Sequence, residues 1–279
     1  HGLITTVAYQ LSPDDPPTYA LEGSCAYAGA TLQWCRDNAN LMADIAEEVE
    51  ISARLSSGTD IDDFDKMETE ITYEEEEEED VIFVPAFSGL YAPHWKSDAR
   101  GLIIGLTAHH NRNDIIKAAL ESSAYSVMDV ISAMDKDVHL GSNSEPSNSD
   151  ANSIKVDGGM AYNKYLMQFQ SNILDKVIHI PVNMSNMTAM GALYAAGIGC
   201  GLYKHDSLPK PSNTNTDTNT NSSEVVPKVS DFKEELRQIW KLQSEFHPHM
   251  SDSRRRFKVD KWHKAIERSC GWATPPSSK

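Results

Sequence analysis

The stretch Lys155-Val156-Asp157-Gly158-Gly159-Met160-Ala161-Tyr162-Asn163 decides how this chain is read. The residues leading to Asp157 read as a strand, two glycines permit a sharp turn and close backbone approach, and a helical pattern follows from Asn163. The first turn of a helix offers unpaired N–H groups and the positive end of its dipole, a setting that suits phosphate. An ordinary strand-to-helix turn that uses glycine for its backbone angles has the same pattern, so the stretch alone leaves both readings open. Neither a Walker A pattern nor GxGxxG occurs in the chain, which sets aside P-loop and Rossmann sites.

Outward from this turn, strands alternate with helices. Residues 1–11 and 18–22 are predicted as strands joined by the turn-rich Ser12–Pro17, followed by a helix from Glu22 to about Ala43. Val81–Val84 and Leu102–Ile104 read as buried strands, and Asn113–Met134 as a long amphipathic helix capped by Asn113 or Asp114. Ser153–Val156 and Val177–Ile180 flank a helix at Asn163–Leu174, and a small-residue helix is expected at Met187–Gly199. Two amphipathic helices, Asp231–Ser244 and Asp252–Ser269, close the chain. Such alternation predicts an α/β domain with helices packed on a sheet.

The 279 residues carry a formal net charge of −16, but unevenly. Between Asp44 and Asp80 there are 17 acidic and 2 basic residues, and the remainder has a net charge of only −1. This balance argues against a nucleic-acid or anionic-membrane surface, both of which need a positive field. The expected organisation is one domain over 1–270, interrupted by an acidic insert at 44–80, a polar loop at 141–152 and an Asn/Thr-rich insert at 207–230, with a disordered tail at 271–279. No apolar stretch approaches the roughly 20 residues needed to span a bilayer. Cys25, Cys35, Cys200 and Cys270 stand far apart without a CxxC, as in a cytoplasmic protein with reduced thiols. The glycosylation-like triplets at Asn183, Asn186 and Asn221 read as chance matches in the absence of a signal peptide. The chain starts at His1 inside a strand-like run, and so reads as a fragment whose N-terminal part is missing.

Five further stretches, taken in order with the Gly-Gly turn, make a family pattern. Val84-Pro-Ala-Phe-Ser-Gly-Leu-Tyr-Ala-Pro-His-Trp95 with Asp98-Ala-Arg-Gly101 resembles the signature region of glycerol kinases, in the FGGY family of carbohydrate kinases. Gly101-Leu-Ile-Ile-Gly105-Leu106 followed by Asp114-Ile-Ile-Lys-Ala118-Ala-Leu-Glu121 resembles that family's second signature. Glu22 to Asp37, Met187 to Ala192 and Trp262 to Arg268 are similar to glycerol kinase as well.

The resemblance implies an actin/hexokinase-like (ribonuclease H-like) ATPase domain, the C-terminal half of a two-domain kinase. It further implies transfer of the ATP γ-phosphoryl group to glycerol, giving sn-glycerol 3-phosphate, with Mg²⁺ as cofactor. Family members often form dimers or tetramers, so a homo-oligomer is implied too. Gly29, Gln33, Gly159 and Asn163 are implied as nucleotide contacts. The catalytic Asp, the glycerol-binding residues and most Mg²⁺ ligands belong, in the family, to sequence preceding residue 1; no catalytic or metal residue is therefore expected here, and the chain alone is expected to be inactive.

Spacing agrees with the nucleotide assignment. Gly29 and Gln33 fall on one face of a predicted helix, and Gly159 and Asn163 are also four apart. For Gln33 a solvent-facing amide remains the alternative, and for Asn163 a helix N-cap. His109-His110 departs from the family and reads as a solvated loop, Arg254–Arg256 as a solvated basic face, and Asp60–Asp65 as too incomplete for a Ca²⁺ loop. Trp34, Trp95 and Trp262 are expected to pack in the core or between domains. Two other functions stay open: an FGGY-family kinase acting on a pentulose or sugar acid, and a non-catalytic module whose acidic tract recruits a basic partner.

Overall fold

The computed structural model describes residues 1–10, 16–45, 80–141, 152–182, 187–200, 202 and 241–273. Most of the acidic insert, the polar loop, the Asn/Thr-rich insert and the three glycosylation-like asparagines lie outside the described residues.

The chain opens with a hairpin of β1 (Ile4–Tyr9) and β2 (Thr18–Glu22), paired antiparallel with Thr5 opposite Leu21 and Val7 opposite Tyr19. The expected helix from Glu22 starts later, as α1 (Gly29–Asp37), because Glu22 still pairs with Ile4 and Gly23 is pressed against the long helix. A Cβ on Gly23 would lie 2.5 Å from Val130 Cγ1. β3 (Ile82–Val84) and β4 (Leu102–Ile104) pair antiparallel where buried strands were predicted.

Helix α2 spans Arg112–Gly141 and runs a turn or more past the predicted end at Met134. Its cap is Asn111, not Asn113 or Asp114. The Asn111 side chain accepts the Asn113 N–H at 2.8 Å, while Asp114 reaches back to the Asn111 N–H at 2.7 Å. Two orphan donors are thus satisfied reciprocally, the logic of a capping box.

The second half is a strand–helix–strand unit. β5 (Ser153–Lys155) runs parallel to β6 (Val177–Pro181), with Ile154 opposite Ile178, and α3 (Lys164–Leu174) makes the crossover. Helix α4 (Met187–Gly199) follows as predicted, and its Leu193 is 62 % exposed. The expected helix Asp231–Ser244 is corrected at its end. Leu242–Phe246 forms β7, antiparallel to β6 with Ile178 opposite Phe246. Finally α5 (Asp252–Ser269) forms where a helix was predicted, its first turn capped by Ser251.

The core gathers around α2. Small residues on this helix (Ala118, Ala119, Ser122, Ala124) allow α1, α3 and β3 to approach closely. Tyr125 stacks on Trp262 of α5, with centroids 5.0 Å apart, and meets Phe169 of α3 edge-on at 5.4 Å. Trp262 is therefore a core residue, as expected, and Trp34 packs beside Phe83 and Phe87. Trp95 lies outside this core. It is 51 % exposed at φ 50°, stacked on Tyr91, with its Nε1–H donated to the Gly2 carbonyl at 2.6 Å.

The last acid of the insert also departs from its composition-based reading. Asp80 is buried beneath α5 and accepts two hydrogen bonds from the equally buried Lys258, at 2.8 and 2.9 Å. Removing one member of such a pair strands a charge away from water. Asp80→Ala is expected to cost about 3 kcal/mol in urea unfolding. The double variant Asp80→Leu/Lys258→Met should recover most of that loss, because it leaves no charge to strand.

Candidate functional site: the two glycine turns and the carboxylate behind them

The four residues singled out from the sequence fall on two helix starts that meet. Gly29 is the first residue of α1, and Gln33 lies one turn later on the exposed side. Gly159 opens a 3-10 turn (Gly159–Tyr162) directly after Gly158, whose φ of 96° suits glycine. The two elements touch through Met160: a methyl placed on Gly29 would sit 3.6 Å from its Sδ. Nothing lies within 4 Å of where a Cβ would stand on Gly158 or Gly159. The turn therefore has free space at both Cβ positions, and Tyr162 beside it is 58 % exposed.

Asn163 takes the capping role. It is the N-cap of α3, its Oδ1 accepting the Leu166 N–H at 2.8 Å. Asp157 lies exposed in the same turn.

Other sequence candidates resolve as structure. His110 Nδ1 accepts the Thr107 N–H at 2.8 Å, closing a short turn after β4. Arg255 pairs with Asp175 at 3.0 Å and with Asp252, while Arg256 stays solvated. The basic run therefore ties α5 to the end of α3. At the chain's far end, the N–H groups of Gly271 and Ala273 are both held by Asp98. Among the described residues no group of three or more His, Cys, Asp or Glu is arranged to hold a metal ion, and no helix is long and apolar enough to cross a membrane.

Sequence reasoning missed Asp129. This α2 carboxylate is only 6 % exposed and accepts from three side chains on two other segments. Oδ2 takes the Trp262 indole N–H at 2.7 Å and His94 Nε2 at 2.8 Å, and Oδ1 takes His263 Nε2 at 2.9 Å. Beside it lies a cavity of about 30 Å³ lined by Cys25, Tyr27, Leu90, His94, Ser126 and Asp129. Burial pushes the Asp129 carboxyl upward, but hydrogen bonds from His263, His94 and Trp262 outweigh it and hold it below the ordinary carboxylate value. The bond to Asp129 raises His263 above 6.5 against the opposing effect of its partial burial. Burial, with the Asp129 charge, pushes the Cys25 thiol up to about 11. The partners lie 35, 133 and 134 positions from Asp129, so no local spacing could have announced the cluster.

Residues 1–200 match the FGGY family of carbohydrate kinases, C-terminal domain, and the chain belongs to that family. It is 40% identical over 271 residues to a glycerol kinase of Methylorubrum extorquens, covering 97% of this chain and 42% of that protein. It is 34% identical over 280 residues to glycerol kinase 1 of Streptomyces coelicolor, covering 100% of this chain and 43% of that protein. The chain thus spans less than half the length of the curated relatives it matches. Among solved structures it is similar to Plasmodium falciparum glycerol kinase with ADP, at 31% identity and a TM-score of 0.65 over 96% of this chain and 42% of that one. A ligand-bound xylulose kinase from Lactobacillus acidophilus shares the fold at 17% identity and a TM-score of 0.54. The fold is accordingly the C-terminal actin/hexokinase-like domain of these kinases.

The Asp129 cluster has a signed pH consequence. His263 is raised in the folded state, so its stabilisation is fully present below 6.5 and is lost as pH rises through its folded value. Asp129 is lowered, so its contribution is lost only as pH falls through a value below 3.8. Thermal unfolding between pH 5 and 9 should show the native chain losing stability above about pH 6.5 relative to His263→Gln, the gap between them closing as pH rises.

Proposed function

We propose that this chain is the nucleotide-binding half of a kinase that phosphorylates glycerol with ATP in the cytoplasm. One observation carries the reading: the start of α1 at Gly29 and the open Gly158–Asn163 turn converge through Met160. They do so in a chain that resembles an ADP-bound glycerol kinase along 96% of its length. Identity to glycerol kinases of 31–40%, against 17% for the xylulose kinase, favours glycerol over a pentulose.

In this reading the glycines let the nucleotide lie against backbone, where N–H groups at the two helix starts face its phosphates or ribose. The Asn163 and Gln33 amides read polar edges of the nucleoside. Phosphoryl transfer further needs a carboxylate to accept the glycerol hydroxyl proton as that oxygen attacks the γ-phosphorus and ADP leaves. We assign that carboxylate and the glycerol-binding groups to an N-terminal half. In this reading most Mg²⁺ ligands belong to the N-terminal half as well.

The test joins this chain to the N-terminal half of a glycerol kinase and measures ADP binding by calorimetry and turnover of glycerol and ATP. Binding and turnover in the joined protein, with no turnover by the chain alone, support the proposal. A folded, joined protein with no affinity for ADP would sink it. Two variants probe the contacts. Gly159→Val should weaken ADP roughly tenfold by filling the open face of the turn. Asn163→Ser keeps an oxygen to cap α3 but deletes the amide donors. It is expected to leave the unfolding midpoint nearly unchanged and to weaken ADP about fivefold.

A further inference from the structure

The segment that leads into α1 does not cross open space. Gly23 is wedged against Val130, Cys25 lies within the field of the Asp129 carboxylate, and Cys25 and Tyr27 line the cavity at whose wall Asp129 stands. Tyr27 is in turn held to the neighbouring loop by a hydrogen bond between its hydroxyl and Ser88 Oγ, and its ring meets Phe87 edge-on at 5.0 Å. That loop is closed on itself by paired backbone bonds between Leu90 and Lys96, at 2.8 and 3.0 Å. Its one side-chain tether to Asp129 is His94. Gly29, the residue that must accept the nucleotide, is two positions beyond Tyr27.

We propose that Asp129 is a positioning residue for the nucleotide. By holding His94 from the loop and Trp262 and His263 from α5 on one buried carboxylate, it fixes the bed on which residues 23–28 lie, and so fixes where α1 begins. The inference rests on the nucleotide-binding reading of Gly29. A buried carboxylate with three donors has little freedom to shift, and replacing it leaves those donors facing an apolar wall. The exposed rim donor, His263, is raised by this carboxylate, so the clamp slackens as that ring loses its proton. The charged and titratable groups that bear on it are Cys25 on the α1 side, His94 on the loop, and His263 with Asp260 on α5; Lys136 of α2 opposes the His263 charge.

The experiment uses the chain joined to the N-terminal half of a glycerol kinase, with ADP as probe. Three proteins are compared from pH 6 to 9: native, Asp129→Asn and His263→Gln. In the native protein ADP affinity should fall as pH rises through the folded-state titration of His263. Asp129→Asn should bind ADP about five- to tenfold more weakly at pH 6 and raise KM for ATP, with KM for glycerol changed less than about twofold. His263→Gln lies at the rim of the cluster and should fold even where Asp129→Asn does not. It is expected to flatten the pH dependence of ADP binding. If both KM values rise together, or if His263→Gln keeps the native pH profile, Asp129 is a general stability residue and the inference is overturned. If the native joined protein binds no ADP at any pH, the fault lies with the nucleotide-binding reading itself.

Discussion

Trp262 is gripped in two ways by one helix. Its ring lies flat on Tyr125, and its N–H is donated to Asp129, about one helical turn further along α2. The stack alone adds about 1 kcal/mol beyond the area it buries. The hydrogen bond prevents the indole from sliding along the stack, because any shift would orphan a donor in a site that is 1 % exposed. This fixes α5 against α2, and through α5 it sets the depth of β3 and β4, the Lys258–Asp80 pair and the Arg255–Asp175 tie to α3. Each of these later contacts assumes the register that Trp262 imposes.

Much of this architecture was legible in the residues. Strands at 82–84 and 102–104, and helices at 164–174, 187–199 and 252–269, follow from apolar runs and helical spacing, and all formed within a residue or two of where they were read, although only the first strand is fully buried. Errors arose where a distant partner decided the local state. Leu242-Gln-Ser-Glu-Phe246 has weak strand propensity and continues a helical pattern, yet β6 offers it a ladder and pairing prevails. Glu22 stands where the expected strand 18–22 and the expected helix overlap, and Ile4 across the hairpin decides for the strand. Asp80 adjoins six glutamates and so shared their solvated reading, although Lys258 stands 178 residues away.

The site divides in the same manner. The Gly158–Gly159 turn left a local trace after a strand, whereas Gly29 could be named only from the family pattern, inside a helix expected to start at Glu22. Asp129 left no trace. A single acid inside a helix acquires meaning only when two histidines and a tryptophan from other elements arrive beside it, and nothing in linear spacing encodes that arrival.

The capping bond of Asn163 has a consequence for hydrogen-bond polarity. With Oδ1 accepting the Leu166 N–H, the amide keeps both N–H donors but only one acceptor lone pair. A group that approaches this side chain therefore finds two donors to one acceptor, and ring nitrogens or ribose oxygens suit it better than an exocyclic amino group. Under the nucleotide-binding proposal, holding the helix together thus also biases which edge of a nucleoside the residue meets.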